Sequence, residues 1–126
     1  MRRFPSIKKN TDYRKVYAKG RSLKARNIVV CVMENGLSGN RLGVSVSRKI
    51  GNSVVRHGFV RKMREIFRFN NAHTEQGYDI VVIARYRAKE ACYSELYSEY
   101  RKLLKGLDLA AWSSEEDPAA EKEELK

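Results

Sequence analysis

The chain has 126 residues, the length of one domain, and its 42% hydrophobic content is enough to bury a core. Its formal net charge is +11, and because residues 113–126 carry six acidic and two basic side chains, residues 1–112 carry +15. Such a field favours nucleic acid or an anionic membrane surface. No apolar run approaches the roughly 18 residues that span a bilayer, and no apolar stretch follows Arg2 and Arg3 as in a signal peptide.

The composition predicts one folded domain over residues 1–112 and an acidic, disordered tail over residues 113–126. Cys31 and Cys92 lie far apart without the spacing of a metal site. We interpret them as free thiols of a cytoplasmic protein.

The N-terminal third predicts an arm followed by a short helix. Residues 1–10 are basic, contain Pro5 and predict an extended arm. Thr11 or Asp12 is predicted to cap a helix that ends at Gly20.

Three strands are predicted next. A short edge strand falls within residues 21–26, and residues 27–34 are rich in β-branched side chains. Residues 41–48 alternate apolar side chains with Gly43, Ser45 and Ser47. The second and third strands are predicted to pair as an antiparallel hairpin.

The second half predicts a long helix, a buried strand and a closing helix. Asn52 or Ser53 can cap the long helix, which covers residues 53–69. The nearly wholly apolar residues 79–84 predict a strand covered on both faces, and residues 90–105 predict the closing helix. The order is α-β-β-β-α-β-α, an α+β fold in which three helices pack on a mixed sheet of about four strands.

The long helix divides sharply into two faces. At about 100° per residue, the helix has an apolar face and a nearly opposite cationic face. The apolar face carries Val55, Phe59, Met63 and Ile66, and the cationic face carries His57, Arg61, Arg64 and Arg68. Glu65 is the only acid between Asn52 and Thr74. A helix with so little internal neutralisation favours a polyanionic partner over a merely solvated charged face.

No pattern of catalytic residues accompanies this surface. The acids of the folded part are scattered, the only histidines are His57 and His73, and no Gly-rich phosphate loop occurs. We therefore predict no catalytic residue and no metal site in the protein itself. Tyr13 and Tyr17 share a helix face and suit either packing or stacking on unpaired bases. Likewise, the face of Ser45 and Ser47 suits either a solvated surface or a shallow floor for a nucleic-acid strand.

These residues carry a resemblance to the protein subunit of bacterial ribonuclease P, which spans about residues 7–107. The family's turn and helix have the form Lys-x-Gly-x-Ala-Val-x-Arg-Asn-x-x-Lys-Arg-x-x-Arg-Glu. The corresponding residues here are Lys49, Gly51, Ser53 (for Ala), Val54, Arg56, His57 (for Asn), Val60 (for Lys), Arg61, Arg64 and Glu65. The flanking segments 43–47 and 79–85 resemble the family's strands before and after this motif.

The resemblance implies a left-handed β-α-β crossover, against the usual rule, in a fold like the second domain of ribosomal protein S5. It also implies the protein component of the endonuclease that removes the 5′ leader of precursor tRNA. Catalysis and Mg²⁺ would belong to a large RNA subunit, with one protein bound per RNA and no membrane partner. Contacts to the catalytic RNA would fall on Arg48, Lys49, Asn52, Arg56, His57, Arg61, Lys62, Arg64 and Arg68. Contacts to the single-stranded leader in a central cleft would fall on Tyr13, Tyr17, Cys31, Ser45 and Ser47.

The chain departs from the family at several of these positions. Cys31 replaces a cleft aromatic and has no ring to stack on a base. His57 and Gly58 follow Arg56 in the family's Arg-Asn-Arg element, and Val60 replaces a lysine. His57 can serve as a hydrogen-bond donor, and Lys62 can compensate for charge from another side of the helix. Two other classes remain open from the residues alone: a ribosomal protein or general RNA chaperone, and a protein-only nuclease.

Overall fold

The computed structural model describes residues 5–110, which form seven elements in the predicted order. They are α1 (Asn10–Lys19), β1 (Arg21–Lys24), β2 (Ile28–Glu34), β3 (Arg41–Ser45), α2 (Ser53–Asn71), β4 (Tyr78–Ala84) and α3 (Tyr93–Gly106), with a 3₁₀ helix (Tyr86–Glu90) before α3. The predicted α+β class with three helices and a four-stranded mixed sheet is confirmed. The tail predicted at residues 113–126 lies outside the described residues.

The four strands lie in the order β1-β2-β4-β3, so β4 is central between β2 and β3. β4 pairs antiparallel with β2 and parallel with β3. The predicted hairpin between the second and third strands is therefore wrong. A strand that is apolar on both faces is stabilised in a sheet interior with both faces covered, and β4 takes that place. α2 connects the parallel strands β3 and β4; the hand of this crossover and the likeness to a ribosomal protein domain stay predictions.

The sheet buries a cluster of apolar side chains on each face. The larger one packs α2 and α3 on the face that carries Val30, Leu42 and Val82. The smaller one packs α1 and the N-terminal arm on the opposite face, around Val16 and Val81. The alternation of side chains along a strand thus separates two helical layers.

The helix α1 begins one residue before the predicted cap. Its N-terminal flanking residue is Lys9, and no side chain caps it, so the prediction of Thr11 or Asp12 as the cap is wrong. The predicted end at Gly20 is confirmed. A Cβ atom at Gly20 would lie 2.5 Å from a backbone oxygen of Val32, which only glycine avoids.

The helix α2 begins at the predicted cap. The Asn52 side chain accepts a hydrogen bond from the backbone N–H of Val55 at 3.0 Å. Phe59, Met63 and Ile66 are buried as predicted, but Val55 is 38% exposed. Val55, in the first turn of α2, lies against Gly51 of the preceding turn and outside the larger core cluster.

Candidate nucleic-acid interface

The predicted cationic face of α2 is open to solvent. His57, Arg61, Arg64 and Arg68 are all exposed. The only acid on this helix, Glu65, places its Oε1 atom 4.0 Å from Nη2 of Arg68. Both side chains of this pair are exposed, and such pairs contribute little and are weakened by salt. The cationic face of α2 therefore remains strongly positive, which favours a polyanionic partner.

The N-terminus of α2 adds to this charge. Arg48 and Lys49 are exposed in the turn that precedes the helix, and the first turn of α2 contains no acid. The positive end of the helix dipole lies at the same point, where it favours a bound anion. Arg56 is half-buried here, and its Nε atom is buried without a hydrogen-bond partner among residues 5–110. Phosphate oxygens are suitable acceptors for such guanidinium groups.

The other predicted residues of this surface differ in exposure. Asn52 is exposed, although its carbonyl oxygen is occupied as the helix cap. Lys62 is half-buried on the flank of α2. Both lie beside the cationic face.

Two tyrosines of α1 form a neighbouring pair, one of which lies against the sheet. The rings of Tyr13 and Tyr17 are 6.4 Å apart at an interplanar angle of 46°. Tyr13 is half-buried, whereas Tyr17 is 47% exposed. Burial raises the pKa of the Tyr13 phenol, while the charge of Arg64 acts to lower it. The positive charge of Arg64 on α2 is thus near enough to influence the pKa of this phenol on α1.

Cys31 and Ser45 lie on the face of the sheet that packs against α1, and Ser47 follows the end of β3. Ser45 is half-buried at the end of β3, and Ser47 is exposed beyond it. Cys31 is only 7% exposed, and burial raises the pKa of its thiol. It belongs to the apolar cluster under α1. Tyr17, Ser45 and Ser47 thus present accessible atoms, and Cys31 supports the floor beneath them.

An ion pair between the half-buried Arg41 and the buried Asp79 joins β3 to β4 and reaches α1. Arg41 on β3 donates two hydrogen bonds to Asp79 on β4, with Nε–Oδ1 and Nη2–Oδ2 distances of 2.7 and 2.6 Å. Its Nη2 atom also lies 3.6 Å from Oδ2 of Asp12 on α1. Sequence reasoning missed these positioning residues, because the register that makes Arg41 and Asp79 neighbours depends on the parallel pairing of β3 with β4.

Neither a metal cluster nor a membrane span is found in the described part of the chain. Within residues 5–110, no group of three or more His, Cys, Asp or Glu side chains is placed to hold a metal ion. Among the helices of those residues, none is long and apolar enough to cross a membrane.

Comparison with known proteins decides the family. A family model described as Ribonuclease P matches residues 1–108. The chain belongs to the ribonuclease P protein family. It is therefore a protein component of the ribonucleoprotein endonuclease that processes the 5′ end of precursor tRNA, and it has ribonuclease P RNA as its partner.

Individual ribonuclease P proteins are similar to this chain in both sequence and structure. The chain is 42% identical to the ribonuclease P protein component of Natranaerobius thermophilus over 105 residues, which are 83% of this chain and 91% of that protein. The Staphylococcus aureus ribonuclease P protein superposes with a TM-score of 0.79 at 36% identity, covering 86% of this chain and 99% of that one. For the Thermotoga maritima ribonuclease P protein the TM-score is 0.74 at 32% identity, with 80% and 96% covered. The predicted family and fold class are thereby confirmed.

Proposed function

We propose that the cationic face of α2 and the turn before it bind the catalytic RNA of ribonuclease P. The observation that carries this proposal is the exposed row of His57, Arg61, Arg64 and Arg68, with Glu65 as the only acid on the helix. Arginine keeps its charge at all relevant pH values and can bind phosphate through two hydrogen bonds. Binding should therefore depend strongly on salt, as phosphate contacts do.

We propose further that the single-stranded 5′ leader lies in the cleft beside α1. Tyr17 offers an exposed ring on which an unpaired base can stack, and the Tyr13 ring lies tilted beside it. Ser45 and Ser47 offer hydroxyl groups at the end of β3 and just beyond it. The charge of Arg64 on α2 influences Tyr13 in this cleft, which supports binding of the substrate and the catalytic RNA to neighbouring surfaces.

In this proposal the chemistry belongs to the RNA subunit. The protein would position the leader and offset phosphate charge, which helps Mg²⁺ ions occupy the RNA site. The described residues offer no carboxylate cluster suited to that metal. We propose one protein per RNA and a cytoplasmic location, where the substrate tRNA is transcribed in bacteria.

Reconstitution with ribonuclease P RNA tests the proposal. The full chain should strongly increase cleavage of precursor tRNA by this RNA at low magnesium concentration. The assembled complex should also bind precursor tRNA more tightly than mature tRNA, because only the precursor has a leader.

Two results would contradict it. Equal affinity for precursor and mature tRNA would favour a general RNA-binding protein. Cleavage by the purified chain, free of RNA and abolished by one carboxylate substitution, would favour a protein-only nuclease.

A further inference from the structure

We propose that Tyr86 is a second base-stacking site, which binds an unpaired RNA base while neighbouring cations hold the adjoining phosphates. The inference rests on the proposed RNA-binding function and extends it to a surface outside α2 and the tyrosine cleft. We call this surface the exit patch, and it consists of Lys24, Arg26, Arg85, Tyr86, Arg87 and Lys89.

The Tyr86 ring is exposed and held in place. Tyr86 is 63% exposed, although it belongs to a 3₁₀ helix anchored by the buried Ala88 and by Ala91 just after it. The ammonium group of Lys89 lies 4.2 Å from the ring centroid and donates a hydrogen bond to the phenol oxygen at 2.8 Å. Packing in the core does not account for an aromatic residue at position 86, because most of its side chain is exposed. A ring that is already held in place loses little conformational entropy when a base stacks on it.

The surroundings of the ring are cationic. Arg85 and Arg87 are exposed on either side of Tyr86 in the chain. Glu90 and Glu95 line the depression next to Arg87, and the carboxylate of Glu99 accepts a hydrogen bond from Asn27 in the same lining. The five cations of the patch thus exceed these three acids. Aromatic rings interleaved with cations are the usual means of binding unpaired bases, because every base has a π-face and every nucleotide a phosphate.

The sheet topology brings the exit patch to the same end as the start of α2. β3 and β4 are parallel, and Ser45 pairs with Ile83, so both strands leave the sheet at one end. The β1–β2 turn returns at this end too, and the Arg85 guanidinium donates to the backbone oxygen of Ala25 at 2.7 Å. The exit patch and the cationic turn before α2 therefore lie where a single RNA can contact both.

Phe69 provides a matched comparison. It is 56% exposed, and the guanidinium carbon of Arg68 lies 5.8 Å from its ring centroid. However, it lies at the far end of α2 and is followed by Asn70 and Asn71 instead of further cations. An exposed ring with one cation nearby is thus present at both sites, whereas the cluster of cations is present only around Tyr86.

The experiment compares Tyr86→Ala, Tyr86→Leu and Tyr86→Phe with Phe69→Ala in the full chain. Tyr86→Leu keeps apolar bulk without a π-face, and Tyr86→Phe keeps the ring. One arm measures affinity for ribonuclease P RNA alone. The other measures affinity of the reconstituted complex for precursor tRNAs with long and short leaders. The first arm detects a base of the catalytic RNA, and the second detects a base of the leader.

We expect Tyr86→Ala and Tyr86→Leu to weaken binding at least about 5-fold in one arm, as stacking on one base implies. Tyr86→Phe and Phe69→Ala should stay near the native affinity. Native affinity of Tyr86→Ala in both arms, while an Arg61→Ala/Arg64→Ala variant binds weakly, would overturn the stacking site and leave the proposed function standing. Failure of the native chain to bind either RNA would instead overturn both.

Discussion

The phenol ring of Tyr13 on α1 lies directly over Gly43 on β3. A Cβ atom at Gly43 would lie 2.7 Å from Cε1 of the ring, closer than non-bonded carbon atoms approach. The absence of a side chain at Gly43 thus allows α1 to approach the edge of the sheet, and this approach sets the floor of the cleft.

Substitution of this glycine should therefore alter the cleft. In Gly43→Ala the new methyl group would displace the Tyr13 ring, and we expect weaker discrimination between precursor and mature tRNA by the reconstituted complex. Equilibrium binding to both tRNAs measures the effect. Gly39→Ala is the control, because a Cβ atom there meets only Gln76 at an ordinary 3.9 Å. Unchanged discrimination in Gly43→Ala would contradict leader binding beside Tyr13.

Removal of charge from α2 should reduce RNA affinity without unfolding the protein. Arg61→Ala/Arg64→Ala removes two exposed cations, and the slope of log affinity against log salt should fall in magnitude by about 1.4–1.8. A salt titration of binding to ribonuclease P RNA measures this slope. Lys105→Ala on α3, also exposed, should leave it nearly unchanged. An equal slope in native and double-variant proteins would contradict the assignment of α2 as the RNA-binding helix.

The apolar face of α2 should determine stability instead. Phe59 is buried in the larger core cluster, so Phe59→Ala should lower the free energy of unfolding by roughly 3–5 kcal/mol. Phe69 is exposed, and Phe69→Ala should change that free energy by only about 0.5 kcal/mol. Denaturant unfolding of both variants measures the difference. Similar losses in the two variants would mean that α2 does not pack as described.

Gly58 is a position where the native residue lowers stability. It lies inside α2, and a Cβ atom there would meet no heavy atom within 4 Å. Gly58→Ala should therefore raise the free energy of unfolding by about 0.5–1 kcal/mol, seen as a higher midpoint in thermal unfolding. Gly36→Ala is the counterpart, because Gly36 has a φ of 72° and equally open surroundings. That substitution should lower stability through backbone strain.

Much of α2 could be predicted from its own residues. The separation of Phe59, Met63 and Ile66 from Arg61 and Arg64 follows from the period of the helix alone. The motif that places the chain in its family is likewise contiguous in sequence. The two faces of α2, the apolar character of β4 and the family could therefore be predicted from local periodicity and residue type.

Strand neighbours could not be predicted in this way. The short loop between β2 and β3 favoured a hairpin, but β4 lies between them because its two apolar faces are best covered at the centre of the sheet. Local periodicity carries no information on which strands pair, since pairing is decided by the burial of the whole chain. Only this topology makes Arg41 a partner of Asp79 and places Cys31 beneath α1. It also brings Tyr86 to the same end of the sheet as the first turn of α2.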